Sequence, residues 1–177
     1  MNRPLPLRPV PDLDLPLVGG GRFVLVDSKA DPFTLLIFYR GYHCPLCRNQ
    51  LDDLKSKLGT LAEIGVAAVA ISMDSEERAR KSHKEWDLAG ITLAYGMSEE
   101  TARSFGLYIS SAISDREPER FSEPGLFLVK PDRTLYFSSI QTSPFTRPPL
   151  AELIPGMRYA KEHGYPARGA VAEREPV

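Results

Sequence analysis

The sequence is short of several things, and each shortage closes off a class of protein. Only two cysteines occur in 177 residues, which excludes a disulfide-stapled secreted scaffold. No apolar run approaches the roughly 18–20 residues needed to span a bilayer. The first ten residues hold prolines and arginines but no apolar stretch of the secretory kind, so the expected location is cytoplasmic. No charge excess exists either: 22 basic against 23 acidic residues leave a net charge of −1. Nothing here favours a phosphate backbone or an anionic membrane surface, so neither nucleic acid nor membrane is expected as a partner. There is no internal repeat and no low-complexity linker.

Proline is missing where regular structure would need its absence. Of the 16 prolines, five precede residue 17, nine fall from Pro118 onward, and none lies between Leu46 and Glu117. Proline removes a backbone donor and breaks helix and sheet interiors, so the middle of the chain is free to be regular. The expectation is one domain over residues 1–164 with a flexible tail over 165–177. With 42% hydrophobic and 25% charged residues, the chain resembles an ordinary globular domain and can bury a core without staples.

What is present reads as alternating strands and helices. Arg22–Asp27 alternates and follows the Gly19-Gly20-Gly21 turn, which predicts an early strand. Phe33–Tyr39 is a short continuous apolar run, the signature of a strand covered on both faces. Pro45 to about Ile64 reads as a helix stopped by Gly65. Val66–Ser72 and Ile91–Tyr95 read as two further strands. Between them Asp74 and Glu77 predict a capping-box start to a helix with Ala79, His83 and Trp86 on one face, ending near Gly90. Ser98–Phe105 predicts a short helix stopped by Gly106. Leu126–Val129 and Thr134–Phe137 flank a proline-containing turn and predict a hairpin. Pro148-Pro149 starts a last helix through Leu150, Ile154 and Met157, which Pro155 is expected to kink or divide. The order predicts an α/β layer fold with a mixed sheet.

The two cysteines stand together as Cys44-Pro45-Leu46-Cys47, after a strand and at the start of a helix. Cysteine reacts as a thiolate, and helix N-termini lower thiol pKa values through their unsatisfied amides. Pro45 suits the first helical position and makes Cys44 the cap. Cys47, Leu51, Leu54, Leu58 and Leu61 form one apolar stripe, so Cys47 is expected to face the core and Cys44 to sit at the exposed tip. In a disulfide-exchange reading Cys44 attacks and Cys47 resolves. Arg40, His43 and Arg48 are candidates to favour the thiolate or move a proton. The bland alternatives are a polar surface residue for His43 and a solvated helix residue for Arg48. A structural disulfide would close a very short loop and gain little. A structural zinc needs four ligands, and no second cysteine pair or suitably spaced histidine is present, so no metal or other cofactor is expected. Cys47 alone would also suit an inert core position.

The segment Thr34–Leu51, TLLIFYRGYHCPLCRNQL, resembles the active-site strand, loop and helix of the peroxiredoxin-like group. These are the alkyl hydroperoxide reductase and thiol-specific antioxidant proteins of the thioredoxin-fold superfamily. Val10-Pro11-Asp12-Leu13 with Leu15-Pro16 looks like the group's N-terminal extension. Val66–Ser75, Phe105-Gly106 and Pro124–Val129 look like later segments, so residues of about 8–140 are covered. The resemblance implies a thioredoxin-like fold, a central mixed sheet flanked by helices, and thiol-based redox activity. It implies a hydroperoxide or disulfide substrate, a thioredoxin- or glutathione-like electron donor, and the option of a homodimer. The group's Pro-x-x-x-Thr-x-x-Cys motif falls on Arg40, Cys44 and Cys47, so only the peroxidatic cysteine is kept. The peroxide-binding arginine falls on Pro124. These departures lean towards thioredoxins, whose cis-proline Pro124 resembles; an ordinary strand-leading proline is the alternative. The alignment nominates Cys47 as attacker, and the helix position nominates Cys44. Three readings stand: a peroxidase cycling between a Cys44/Cys47 dithiol and disulfide, a protein disulfide reductase, and a redox-sensing module without turnover.

Overall fold

The computed structural model describes residues 3–171; the last six residues of the expected tail lie outside that range. A short antiparallel pair, β1 (Asp14–Pro16) and β2 (Arg22–Val24), opens the chain. The predicted strand through Asp27 stops at Val24 and gives way to a 3-10 turn, Leu25–Asp27. The cause is Leu25, which is buried and donates its amide to the Leu13 carbonyl.

β3 (Thr34–Phe38) is central in a five-stranded mixed sheet. On one side it pairs in parallel with β4 (Ala67–Ile71), which pairs in parallel with β5 (Thr92–Ala94). On the other side it pairs antiparallel with β8 (Gly125–Val129), the partner of β9 (Leu135–Ile140) in the expected hairpin. A second small antiparallel pair, β6 (Ile109–Ser111) and β7 (Arg120–Ser122), was not legible in the sequence. Its strands are three residues long and two-thirds polar, so they carry almost no periodic signal.

Every residue of β3 is buried because both faces are covered. Leu35, Ile37 and Tyr39 point to one layer, with α1 (Pro45–Glu63) and α4 (Leu150–His163). Leu36 and Phe38 point to the other, with α3 (Glu99–Ser104) and the N-terminal segment Val10–Leu15. The α1 stripe buries Cys47, Leu51, Leu54 and Leu61, and Gly65 ends the helix in a left-handed turn at φ 83°. Truncating one of these leucines to alanine would cost about 2–5 kcal/mol.

Three helix expectations need correction. α2 (Glu76–Glu85) is capped by Ser75, whose hydroxyl accepts from the Arg78 amide, and not by Asp74. Asp74 is drawn away because its carboxylate serves the cysteine loop. The helix ends at Trp86, short of Gly90, where Asp87 turns left-handed. Pro155 does not divide α4. It sits in the second turn, where one carbonyl loses a donor and the buried Ile154 and Met157 hold the helix on the sheet.

Candidate active site

The loop from β3 to α1 brings the cysteines to the end of the central strand. Cys44 is the N-cap, in extended conformation, with Pro45 first in the helix. Its sulfur accepts from the Cys47 amide at 3.3 Å, the place a serine or threonine oxygen usually takes. The thiols are free. The expected exposed tip is not found: Cys44 is 1% exposed and Cys47 0%. The reason lies in a different part of the chain. Arg147, in the loop between β9 and α4, lays its guanidinium over the pair, with Nη2 at 3.1 Å from the Cys47 sulfur and 3.8 Å from that of Cys44. The Pro144 carbonyl accepts from Nη1 at 2.5 Å and ties this arginine to its own loop.

The two sulfurs share one environment and titrate apart. The Cys44 pKa is lowered to about 6. The hydrogen bond from the Cys47 thiol is the largest cause; burial opposes it, and the Cys47 amide, Arg40 and Arg147 add to it. Burial first, and then the neighbouring Cys44, push Cys47 well above the ordinary thiol range. The first proton therefore leaves Cys44, and the second is held by the pair. The positive end of α1 acts in the same direction.

The other predicted residues divide. Arg40 helps to lower the Cys44 pKa through its side chain, and its guanidinium is shared with two carboxylates. It is held between Glu117, at 3.5 Å, and Glu123, at 3.2 Å, over the Phe121 ring. Its backbone amide also donates to the Cys47 sulfur at 3.4 Å. His43 packs edge-on against Phe121, with Nδ1 at 3.3 Å from an Arg78 nitrogen. Burial, then Arg40 and Arg78, lower its pKa to about 4, so it brings no positive charge to the thiolate at neutral pH. Arg48 is exposed on α1 and touches neither sulfur. Pro124 is not cis: the cis peptide among the described residues is Asp31–Pro32. Pro124 leads β8, one step beyond the Phe38–Gly125 pair, which is the ordinary strand-leading role.

Asp74, Arg78 and Arg147 were missed. Asp74 is buried, its carboxylate accepting from the Tyr42 amide at 2.7 Å and from Arg78 Nε at 2.8 Å. It fixes the turn before Cys44, and Gly41 is required there. At φ 127° a Cβ on Gly41 would lie 2.7 Å from a carboxylate oxygen of Asp74. Asp74 had a local signal that pointed to the wrong job. Arg147, in a proline-rich loop about a hundred residues from the cysteines, had none.

Residues 6–138 of the 177 match the model of the AhpC/TSA family. The chain belongs to the AhpC/TSA family. As a member of that family it is a thiol-dependent oxidoreductase, and it carries two free cysteines, Cys44 and Cys47. Comparison of the sequence with curated proteins gives no match. Among solved structures, the peroxidoxin BcpB of Mycobacterium tuberculosis has a TM-score of 0.71 at 19% identity, covering 90% of this chain and 98% of that one. AhpC of Enterococcus faecalis gives 0.71 at 16%, covering 93% and 98%. A Chlorobium tepidum protein named as a candidate thiol:disulfide interchange protein DsbE gives 0.65 at 20%, covering 89% and 99%. At these identities the likeness is one of fold. Among the described residues no helix is long and apolar enough to cross a membrane, and no cluster of metal-ligating side chains occurs.

Proposed function

We propose that the chain reduces small hydroperoxides, with Cys44 as the attacking thiolate and Cys47 as the resolving thiol. The observation that carries this is burial under a guanidinium. Sulfurs that are 1% and 0% exposed admit a small peroxide far more readily than the disulfide of a folded protein. Arg147 supplies N–H donors where the family's own arginine is replaced by Pro124. Donors aimed at the oxygen that gains negative charge stabilise such a transition state.

Cys44 thiolate attacks the near peroxide oxygen and the O–O bond breaks. The far oxygen leaves as an alkoxide or hydroxide, which takes a proton to become an alcohol or water, and Cys44 becomes a sulfenic acid. The Cys47 sulfur then displaces the sulfenic oxygen, which departs as water with the Cys47 proton, and a Cys44–Cys47 disulfide forms. Two electrons from an external thiol donor of the thioredoxin or glutathione kind restore the dithiol. Arg40, between Glu117 and Glu123, holds the β6–β7 arm against the loop and offers its amide to Cys47. We assign proton transfer to the neutral His43, the neighbour of Cys44 in the chain. The test is a direct comparison with dithiothreitol as the reductant. Hydroperoxide should be consumed catalytically, and insulin disulfides should be reduced no faster than by dithiothreitol alone. Catalysed insulin reduction without peroxide turnover would overturn the reading in favour of a disulfide reductase.

A further inference from the structure

The mechanism leaves unused a cleft of about 510 Å³ lined by residues that flank the cysteine pair, within the roughly 300–1,000 Å³ range of small-molecule sites. His43 and Pro45, the residues on either side of Cys44, both line it. One wall is aromatic, Tyr42 stacked on Trp86 with ring centroids 5.9 Å apart. Its cations are Arg48 on α1, Arg116 on the β6–β7 arm and Arg78 on α2. Arg78 is paired with Asp74. The guanidinium groups of Arg48 and Arg116 form no ion pair among the described residues. Two carboxylates, Glu85 and Asp115, lie in the same lining, Glu85 accepting from the Tyr42 hydroxyl at 2.5 Å.

We propose that this cleft binds the thiol that returns electrons to the site, and that this thiol is a small peptide-like zwitterion of the glutathione type. The inference rests on the Cys44/Cys47 cycle of the preceding subsection. Two unpaired guanidiniums match the two carboxylates of such a tripeptide, and charge-assisted contacts of this kind orient as well as attract. Glu85 and Asp115 match its ammonium, and the tyrosine–tryptophan wall covers its backbone. A protein dithiol would have to insert a sulfur to a depth where Cys44 is 1% exposed; a tripeptide in the cleft lies against His43 and Pro45, the neighbours of Cys44 in the chain, and has only its small thiol arm to insert. The donor thiolate attacks the Cys44 sulfur of the disulfide, the S–S bond breaks, and Cys47 leaves as a thiolate and takes a proton. A second donor thiolate attacks the donor sulfur of the mixed disulfide and frees Cys44. Two donor thiols become one donor disulfide, and the protein gains their two electrons.

The experiment uses protein oxidised to the Cys44–Cys47 disulfide, reduced anaerobically by glutathione, by glutathione diethyl ester or by dithiothreitol. Rates are compared per donor thiolate. Glutathione is expected to be about tenfold faster than its ester, as two weak-to-moderate ion pairs would give. In an Arg48→Gln, Arg116→Gln double variant that ratio should fall towards one. S-methylglutathione, which cannot exchange, should titrate the fluorescence of Trp86, the one tryptophan, to saturation in the wild type and not in the double variant. Equal rates for glutathione and its ester, with no saturable titration, would overturn the proposal and place the donor among proteins. A disulfide that never forms, or that dithiothreitol cannot reduce, would overturn the cycle itself and the donor site with it.

Discussion

Replacing Cys47 with alanine removes the largest cause of the low Cys44 pKa, the hydrogen bond from the Cys47 thiol. At neutral pH a pKa of about 6 leaves about 90% of Cys44 as thiolate. At the ordinary value near 8.5 the thiolate would be about 3%, so a roughly 30-fold loss is the ceiling. The residue-47 amide, Arg40 and Arg147 remain in Cys47→Ala, so a rise of about one to two units is expected, short of that ceiling. Cys47→Ser keeps a hydroxyl donor and should stay closer to the wild type. The readout is a thiolate absorbance titration. Alkylation rates are a poorer guide because intrinsic nucleophilicity rises with pKa, with a Brønsted slope of about 0.4–0.5. A Cys44 midpoint that stays near 6 in Cys47→Ala, or one that moves equally in the two variants, would refute the reasoning.

Other outcomes follow from the same geometry. Arg147→Gln takes away the guanidinium 3.1 Å from Cys47; stopped-flow thiol loss with peroxide should slow on the order of 100-fold, and an unchanged rate would remove Arg147 from the chemistry. Gly41→Ala places a Cβ 2.7 Å from Asp74 at φ 127°, a strain of about 1–3 kcal/mol, read as a lower Tm; an equal Tm would contradict it. Burial raises the Asp74 pKa, so between the ordinary value near 3.9 and the raised one the folded protein binds more protons than the unfolded. Stability therefore falls as pH rises through that window. Urea unfolding of Asp74→Asn across acid pH should show this slope flattened, and a slope unchanged would mean that Asp74 is not its source. Cys44, with its pKa lowered to about 6, works in the opposite sense. Reduced protein should gain stability as pH rises from about 6 towards about 8.5, a gain absent in Cys44→Ser.

Much of the fold was legible because long apolar runs and glycine stops act locally. β3, α1 and the β8–β9 hairpin each follow from a few consecutive residues, and Gly65 ends α1 as its sequence suggests. β6 and β7 were not legible because their three-residue strands gain stability only by pairing across the Ala112–Glu119 loop. The cysteine pair and its helix cap were legible from Cys44-Pro45-Leu46-Cys47 alone. Its burial was not, because the helix pattern describes α1 by itself and the cover comes from Arg147. The same holds for Arg40. Proximity in sequence suggested its charge near the thiolate, and its side chain does lower the Cys44 pKa, but its carboxylate partners Glu117 and Glu123, far along the chain, were not legible. Asp74 shows how a true local pattern misleads: the capping-box spacing is present, but a buried carboxylate is worth more to the Tyr42 amide and Arg78 than to a helix end already capped by Ser75.

The most direct test of the central claim mixes fully reduced protein with one equivalent of hydrogen peroxide. Thiol loss is followed in time against free cysteine, and the product is mapped by mass spectrometry. The expected result is a second-order rate orders of magnitude above that of free cysteine, with both thiols lost together and the product a Cys44–Cys47 disulfide. A rate near that of free cysteine, or oxidation that stops at one sulfur while the other stays a thiol, would contradict it.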